Sequence, residues 1–563
     1  GGMGKTALAS RVLADLERGK LLVLGEEGKL PIDGILYLSA RTTGLGLERI
    51  YTDVGRMLGE PAASKLAARW ADRDTSLAAK VEYLLETMRD GLHLILLDNL
   101  EDYLTEDGDI AEEGLRVFVE RCLIQPDGVR LVVTSREEVQ LAAAALRGAR
   151  RIPLCEGLPE DEAIALLRDL DPQGTLGLRD APEDDLRRAA RLTQGIPRAL
   201  EIMAGILHED PTASLPKLLA NEATFGAEVV EQLVAEGYRR LRDDERRVME
   251  ALAVFDRPVD ETAIGYLLHP WFPGLDVRTC LHRLVSGYFV STSRVTGEYS
   301  LHPLDRDYAY RQIPDDEETG AYNRRNLELR AADFYADIRK PESEWKSIAD
   351  LAPQLAECEH RVRAGDYDGA CRVLEPIEFD HLLLWGHYAL LVELREKLLG
   401  RLADPGLRAD NIPKLGRAYY FLGQVKRAIK LYEEGLVILR EIGYHQQEGA
   451  VLGNLGNAYY DLGQVEQAIA FYEQGLEIFR QIDYRQGEGV LLGNLGNAYL
   501  ALSQVEQAIE LYREALVIAQ EISDRRREGM TLGNLGEAHL DLGQVERAIK
   551  LYEEALAIAR EIG

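Results

Sequence analysis

The first six residues have the types and order that surround a phosphate chain. They end the pattern G-x-x-x-x-G-K-[ST], in which backbone N–H groups and a helix N-terminus enclose an anion. Lys5 would reach the β- and γ-phosphates, and the Thr6 hydroxyl would hold Mg²⁺. The small Gly2 and Gly4 would let the backbone approach closely. The residues of this predicted phosphate-binding segment are Gly2, Met3, Gly4, Lys5, Thr6 and Ala7.

The same six residues also fit an ordinary glycine-rich turn, so the choice between the two interpretations depends on the segments that follow. We expect the first glycine of the loop, and the strand that leads into it, to precede residue 1. From Lys5 to about Glu17, apolar residues recur at helical spacing, as they should in the helix that a phosphate loop opens.

A buried strand that ends in a carboxylate is the second candidate for chemistry. His93-Leu-Ile-Leu-Leu-Asp98 is apolar until its last residue, which is typical of a parallel strand buried on both faces. Asp98 would emerge at the ligand-bearing edge of the sheet and help to hold Mg²⁺, directly or through water. The alternative is that Asp98 only caps the next helix. Glu101 is a possible general base, and we expect slow ATP hydrolysis at most.

A third strand, Arg130-Leu-Val-Val-Thr-Ser-Arg136, ends in hydroxyls and a guanidinium. Arg136 at the same edge would contact the γ-phosphate, since its planar fork donates two parallel hydrogen bonds. The alternative is a surface arginine near Glu137 and Glu138. Together with Gly34–Ser39 and helical patterns around 47–58 and 76–90, these strands predict an α/β unit with a parallel sheet.

Five motifs in this order resemble those of STAND-class P-loop NTPases of the NB-ARC (AP-ATPase) type. They are Gly-Met-Gly-Lys-Thr, Leu-Leu-Asp-Asn-Leu-Glu, Val-Val-Thr-Ser-Arg, Leu154-Cys-Glu-Gly-Leu-Pro159 and Gly195-Ile-Pro197-Arg-Ala-Leu200. The resemblance implies a nucleotide-controlled switch that binds ADP or ATP with Mg²⁺. It also implies that Pro197 lies in a helical domain lining the adenine site; by itself, Pro197 indicates only the start of a helix.

Residues 236–312 mix short helices with a strand pair. Helices over Leu241–Phe255 and Cys280–Ser286 and a hairpin around Thr296-Gly297 predict a winged helix. His302, in Leu301-His302-Pro303, is similar to the histidine of the family's Met-His-Asp motif, which implies contact with the β-phosphate of ADP. Pro303 replaces the aspartate, which puts the helix-capping part of the motif in doubt. The alternative is a half-buried structural histidine.

The last third of the chain repeats itself at a constant interval of about 40 residues. Gly453-Asn-Leu-Gly-Asn-Ala-Tyr-Tyr460 recurs at 493–500 and 533–540, with a diverged copy at 415–420. This is the helix-turn-helix pattern of tetratricopeptide repeats, which usually span about 34 residues, and we attribute the extra length to a longer connector such as 484–489. Asp366-Tyr-Asp-Gly-Ala370 resembles the inter-helix turn of a further, degenerate repeat.

The first helix of each repeat carries a row of asparagines that would line the concave face and hydrogen-bond an extended peptide. The alternative is a set of solvated polar positions or helix starts. The predicted peptide-binding residues are Asn454, Asn457, Asn494, Asn497 and Asn534.

The formal charge of −30, from 66 basic and 96 acidic side chains, argues against non-specific binding to nucleic acid or anionic membranes. No apolar run is long enough to span a membrane, and five scattered cysteines indicate buried thiols in a reducing compartment. We therefore expect a cytoplasmic protein. The predicted second helix of the winged helix carries only one basic residue, Arg283, near His282. We therefore do not expect the winged helix to bind DNA.

These observations predict a multidomain fold: an α/β P-loop NTPase whose first strand is missing, a helical domain, a winged helix and an all-α tetratricopeptide solenoid. The predicted domains are 1–152, 153–235, 236–315, a helical linker with degenerate repeats at 316–405, and 406–563. The predicted function is an ADP-off, ATP-on signalling switch. Its repeats would sense a protein or peptide trigger, and its ATP form would self-associate and drive an upstream effector, in defence or regulation. The alternatives are a repeat scaffold with a vestigial nucleotide site and a winged-helix transcriptional regulator.

Overall fold

The computed structural model describes Ala9, Val12, Leu13 and Leu16, and then residues 32–40, 45–72, 75–105, 107–125, 128–152, 157–210, 212–220, 229–293, 296–316, 318 and 320–562. These residues form two compact units. The first unit extends to Arg339 and includes residues 363–365, and the second comprises 340–362 and the chain from Asp366 onward.

A three-stranded parallel sheet organises the start of the first unit. Its strands are β1 (Gly34–Ser39), β2 (His93–Asp98) and β3 (Val129–Val133), with β2 in the centre. Every residue of β2 is buried, as its unbroken apolar run predicts. The register pairs Ser39 with Asp98, so the carboxyl ends of the strands meet at one edge.

Helices cover both faces of this sheet. On one face, Leu38, Ile95 and Leu97 share a core with four helices, namely α1 (Leu47–Leu58), α2 (Ala62–Ala71), α3 (Leu77–Thr87) and α4 (Glu113–Ile124). On the other, Leu13 packs against Leu94 and Leu96. Leu13 is helical, as are the other three described residues of the predicted helix over Lys5–Glu17. Sequence patterning did not predict α2, and a short α5 (Ala143–Leu146) follows β3.

A helical bundle follows the sheet. It consists of α6 (Glu160–Asp169), α7 (Glu183–Leu192), α8 (Pro197–Glu209), α9 (Leu215–Ala220) and α10 (Val229–Arg240). Their buried leucines, isoleucines and alanines form one core, against which Tyr288, Leu304 and Tyr308 also pack. The residues that follow the bundle in sequence therefore complete its core.

Those later residues form helices and a short hairpin in the predicted order. They are α11 (Asp243–Phe255), α12 (Glu261–Leu268), α13 (Val277–Ser286) and an antiparallel pair, β4 (Val290–Thr292) and β5 (Tyr299–Leu301), followed by α14 (Pro303–Gln312) and α15 (Arg324–Asp337). The two hairpin strands have three residues each. Pro303 occupies the first turn of α14, where its missing N–H costs nothing.

The second unit is all helical. It begins with the irregular α16 (Ala352–Arg363), α17 (Tyr367–Ile377) and α18 (Tyr388–Leu398). Four hairpins follow: α19 (Pro405–Phe421) with α20 (Val425–Ile442), α21 (His445–Asp461) with α22 (Val465–Gln481), α23 (Arg485–Ala501) with α24 (Val505–Glu521), and α25 (Arg525–Asp541) with α26 (Val545–Ile562). Asp366 caps α17 by accepting a hydrogen bond from the Gly369 N–H at 2.9 Å, as expected for a repeat-like turn.

The prediction of a longer connector at 484–489 was wrong. Only Tyr484 lies outside the helices there, and Arg485 to Gly489 form the first turns of α23. The long period of the repeat comes from longer helices. Gly487 allows this part of the helix to pack closely against the Phe479 ring. A Cβ at this position would lie 2.5 Å from that ring.

Candidate functional site

Asp98 lies at the carboxyl end of β2 and is 1% exposed. Its Oδ2 accepts a hydrogen bond from the Tyr37 hydroxyl at 3.0 Å, and its Oδ1 accepts one from the Thr134 hydroxyl. Burial and the Asp98 charge raise the pKa of Tyr37 to about 12, which keeps that hydroxyl a donor at neutral pH. Asn99, not Asp98, stands before the short 3₁₀ helix Leu100–Tyr103, so the structure does not support the capping alternative.

Glu101 and Arg136 form one hydrogen-bonded unit at this edge. Arg136 donates to the two Glu101 carboxylate oxygens from its Nε at 2.7 Å and its backbone N–H at 3.1 Å. The Glu101 side chain is 6% exposed, whereas Arg136 is half exposed. Arg136 therefore pairs with Glu101, not with the neighbouring Glu137 or Glu138 that sequence reasoning considered.

Two of the family-like motifs meet in the helical bundle. The Leu158 N–H donates to the Gly195 carbonyl at 2.7 Å, and Gly195 has a φ of +65°. A Cβ on Gly195 would lie 2.2 Å from the Leu158 carbonyl oxygen, so only glycine fits this approach. The contact fixes the chain just before Pro197, which begins α8.

Arg198, directly after Pro197, forms a buried ion pair with Asp305 on α14. Its Nε lies 3.0 Å from Asp305 Oδ2, its second terminal nitrogen bonds the same oxygen, and the first donates to Glu201 and to the Tyr288 carbonyl at 2.8 and 2.9 Å. The two side chains are 7% and 1% exposed. Asp305 Oδ1 is buried with no hydrogen-bond partner among the described residues. One charged contact therefore ties the Pro197 helix to the His302 helix.

His302 stands immediately before α14 and caps it. Its Nδ1 accepts a hydrogen bond from the Leu304 N–H at 3.3 Å. Burial, reinforced by Arg198, lowers the pKa of His302 to about 4, while Asp307 opposes this shift. The ring is therefore neutral at pH 7, with its proton on Nε2 as a donor. Capping thus survives the replacement of the motif's aspartate by Pro303, because the imidazole supplies the acceptor.

Asp307 links this histidine electrostatically to the sheet edge. The hydrogen bond to Glu101 is the largest cause that raises the pKa of Arg136, and the charges of Glu101, Asp102 and Asp307 add to it. The Asp307 carboxylate also opposes the lowering of the His302 pKa. Asp307 on α14 is therefore within electrostatic range of Arg136, although the two residues are far apart in the sequence. The charge of Asp307 therefore acts on both Arg136 and His302.

The predicted phosphate-binding residues 2–7 lie outside the described residues, so the roles of Lys5 and Thr6 stay predictions. The oxygen ligands at the sheet edge suit the hard cation Mg²⁺, since Asp98, Thr134 and Ser39 are all buried there. In the part of the chain that the structure describes, no three His, Cys, Asp or Glu side chains cluster as a metal site. None of the described helices has the length and apolarity of a membrane span.

Arg283, the basic residue noted on α13, lies 3.5 Å from Oε1 of the buried Glu245. Part of its charge is therefore directed towards the protein, which offers little support for a DNA-binding face.

The asparagine row is hydrogen-bonded along the repeats. Asn457 Oδ1 accepts from the Asn494 amide at 3.1 Å and from the Tyr472 hydroxyl at 2.8 Å. One repeat later, Asn497 Oδ1 accepts from the Asn534 amide at 3.2 Å and from the Tyr512 hydroxyl at 2.6 Å. The row is therefore a preorganised polar strip, since both repeats fix these carbonyl oxygens in the same way.

Sequence comparison identifies the repeat family of the helices that carry the asparagine row. A family model described as tetratricopeptide repeat matches residues 408–481 and 488–561. These two stretches are tetratricopeptide repeats. The four tetratricopeptide hairpins described above fall almost entirely within them. A search of curated proteins gave no match.

Several solved structures resemble the chain at low identity. A signal transduction ATPase with numerous domains (STAND) protein with a tetratricopeptide repeat sensor, from Pyrococcus horikoshii, is 17% identical over 99% of this chain and 86% of that chain, with a TM-score of 0.41. BtubC from P. vanneervenii is 24% identical over 38% of this chain and 91% of its own, with a TM-score of 0.33. Aspartyl phosphate phosphatase F from Bacillus subtilis is 16% identical over 57% and 76%, with a TM-score of 0.32.

Sequence reasoning missed Arg198 and Asp305. A signal for Arg198 existed, because it is a charged residue in the first turn of a helix, Pro197–Glu209, whose middle from Ile202 to Leu207 is apolar. Tyr37 and Thr134 were also missed as partners of Asp98. Their involvement depends on strand register, which periodicity alone does not provide.

Proposed function

We propose that this chain is a nucleotide-controlled signalling switch whose tetratricopeptide repeats sense a protein or peptide. The observation that carries the proposal is the Arg198–Asp305 pair, which joins the Pro197 helix to the His302 helix beside the sheet edge. Pro197 and His302 are two of the residues that, by family resemblance, would line the ADP site.

In this proposal, ADP keeps the helical bundle and the winged-helix elements closed over the sheet. The neutral His302 would donate from Nε2 to a β-phosphate oxygen, and Lys5 would contact the phosphates. Thr6 and Asp98 would hold Mg²⁺, which neutralises phosphate charge when bound. Arg136 would have to break its hydrogen bonds with Glu101 before it could contact a γ-phosphate. We therefore expect slow hydrolysis at most. A trigger that binds the repeats more tightly in the open form than in the closed form would shift the protein towards the open form. The open form would exchange ADP for ATP and self-associate.

Nucleotide analysis of the purified protein tests the proposal. We expect ADP to be retained by the wild type, lost in Lys5→Ala, and retained in the control Lys430→Ala, an exposed lysine of the repeats. Absence of nucleotide from the wild type, together with no binding of added ADP or ATP, would favour the scaffold alternative instead.

The asparagine row supports peptide sensing. Because the carbonyl oxygens of Asn457 and Asn497 are already occupied, the row would present N–H donors to the carbonyls of an extended peptide. Replacing Asn494 with alanine should weaken binding of an activating peptide without changing ADP retention. A change in ADP retention alone would argue against the sensing role.

A further inference from the structure

A groove of about 570 Å³ lies between the second helix of one repeat, α22, and the next repeat, α23 and α24. Its apolar lining comes from Leu476, Leu495, Leu511 and the ring of Tyr499. Glu473 and Glu477 line it from α22. The groove shares no residue with the asparagine row.

The preceding repeat shows why this groove is open. At its equivalent positions, Tyr459 and Phe471 stack with ring centroids 5.3 Å apart and planes 10° from parallel. The corresponding pair here is Tyr499 and Leu511, so the second ring is missing. The smaller leucine leaves space beside Tyr499 that phenylalanine would fill.

The charge of this groove also differs from that of its neighbours. Glu473 and Glu477 correspond to Glu433 and Val437 one repeat earlier, and to Arg513 and Val517 one repeat later. Position 507 is glutamine here but Arg547 in the last repeat. An open apolar floor with two carboxylates therefore occurs at one of the three equivalent positions.

Both carboxylates remain available to a cation. Burial and then the electrostatic interaction with Glu473 raise the pKa of the Tyr499 hydroxyl. Glu477 accepts a hydrogen bond from the Gln481 amide at 3.3 Å. Within the described residues, neither carboxylate forms an ion pair. Arg480, the basic residue at the rim, is already paired with Glu488 and Glu514 at 2.9 and 3.2 Å.

We propose that this groove binds a segment of a partner protein in which leucine-sized side chains are flanked by lysine or arginine. The apolar side chain would cover Leu511 and the ring of Tyr499, which are partly exposed above the buried Leu476 and Leu495. The cations would face Glu473 and Glu477. Apolar burial supplies affinity, and charge complementarity selects against acidic segments. This groove would determine which partner segment binds, and its binding would not depend on nucleotide.

Fluorescence anisotropy with two labelled peptides tests this proposal on the full chain without added nucleotide. The probes are Gly-Lys-Leu-Leu-Lys-Gly and its acidic counterpart Gly-Glu-Leu-Leu-Glu-Gly. We expect the basic probe to bind about tenfold more tightly at low salt. The difference should shrink as salt screens the exposed charges. Equal affinity for the two probes, or no binding of either, would overturn the proposal.

Leu511→Phe is the decisive variant, because phenylalanine occupies the equivalent position 471 in this same chain. It should weaken the basic probe about tenfold by filling the groove, with helicity unchanged by circular dichroism. Leu551→Phe, the same change one repeat later, is the matched control and should leave affinity unchanged. Unaltered binding by Leu511→Phe would contradict the proposed site.

Glu473→Gln combined with Glu477→Gln tests the charge. This variant should reduce the preference for the basic over the acidic probe and flatten the salt dependence of binding. A preference that persists in full would show that other charges select the ligand and would overturn the assignment of these two carboxylates.

Discussion

The imidazole of His302 is held neutral in the folded protein by burial and by Arg198, which lower its pKa to about 4. Its ordinary value is about 6.5, so the unfolded chain binds a proton at higher pH than the folded chain does. The stability that neutral His302 contributes is therefore complete above about pH 6.5 and is lost as pH falls towards 4.

We therefore predict that His302→Gln is less sensitive to acid than the wild type. Lowering the pH from 7.5 to 5 should reduce the wild-type free energy of unfolding by up to about 2 kcal/mol more than that of the variant. Urea unfolding at both pH values measures this difference. His269→Gln, at an exposed position, should behave like the wild type. Identical pH dependence of the wild type and His302→Gln would mean that His302 is not the titrating group.

The Arg198–Asp305 pair leads to a second prediction at this scale. Arg198→Met leaves Asp305 buried without its cation and should lower the free energy of unfolding by about 3–5 kcal/mol. The double variant Arg198→Met, Asp305→Leu removes both charges and should recover much of that loss, since apolar residues replace a buried pair at little cost. Urea unfolding of both variants measures the coupling. A double variant as unstable as the single one would mean that packing, not the ion pair, dominates.

At the scale of elements, the sequence predicted the buried strands best. β1 and β2 have the predicted bounds, because an apolar run that ends at a polar residue marks a strand without help from tertiary contacts. Helix α2 was missed, since its pattern of alanines with Leu66 and Trp70 gives a weak apolar stripe. The connector at 484–489 was wrongly predicted because the extra repeat length was attributed to a loop. Its two glycines lie in a helix and permit close packing against Phe479 and Ile518.

The candidate site was predictable only in part, for a related physical reason. Asp98 stands out as a carboxylate at the end of an apolar run, whereas His302 was identified by its resemblance to the Met-His-Asp motif. Glu101 with Arg136, and Arg198 with Asp305, become visible only when distant segments fold together. The separation within the second pair is 107 residues, and no periodicity in the sequence encodes it.

Two glycines of the helix Arg485–Ala501 give a matched test of helix packing. A Cβ on Gly496 would lie 2.4 Å from the Tyr512 ring, whereas a Cβ on Gly493 has nothing within 4 Å. We predict that Gly496→Ala destabilises the repeats by about 1–3 kcal/mol through overpacking. Gly493→Ala should instead stabilise them by about 0.5–1 kcal/mol, because alanine favours the helix. Denaturant unfolding followed by circular dichroism separates the two, and equal effects would contradict the packing explanation.

At the scale of the whole molecule, the division into two compact units predicts two unfolding transitions. The first unit contains Asp98, Arg136, Pro197 and His302, and the second contains the tetratricopeptide repeats. A ligand that binds only the folded form stabilises the unit that holds it by about 2.7 kcal/mol at a hundred times its Kd. ADP with Mg²⁺ should therefore raise the midpoint of one transition and leave the other near its original value.

Gly496→Ala should have the complementary effect, because it lies in the repeats. In differential scanning calorimetry of the full chain, it should lower the transition that ADP leaves unchanged. Adding ADP to this variant should then widen the gap between the two midpoints. A single transition that shifts with both perturbations would show that the two units unfold as one cooperative block. The proposed nucleotide site and the repeats would then be coupled through global stability and not through a separable switch.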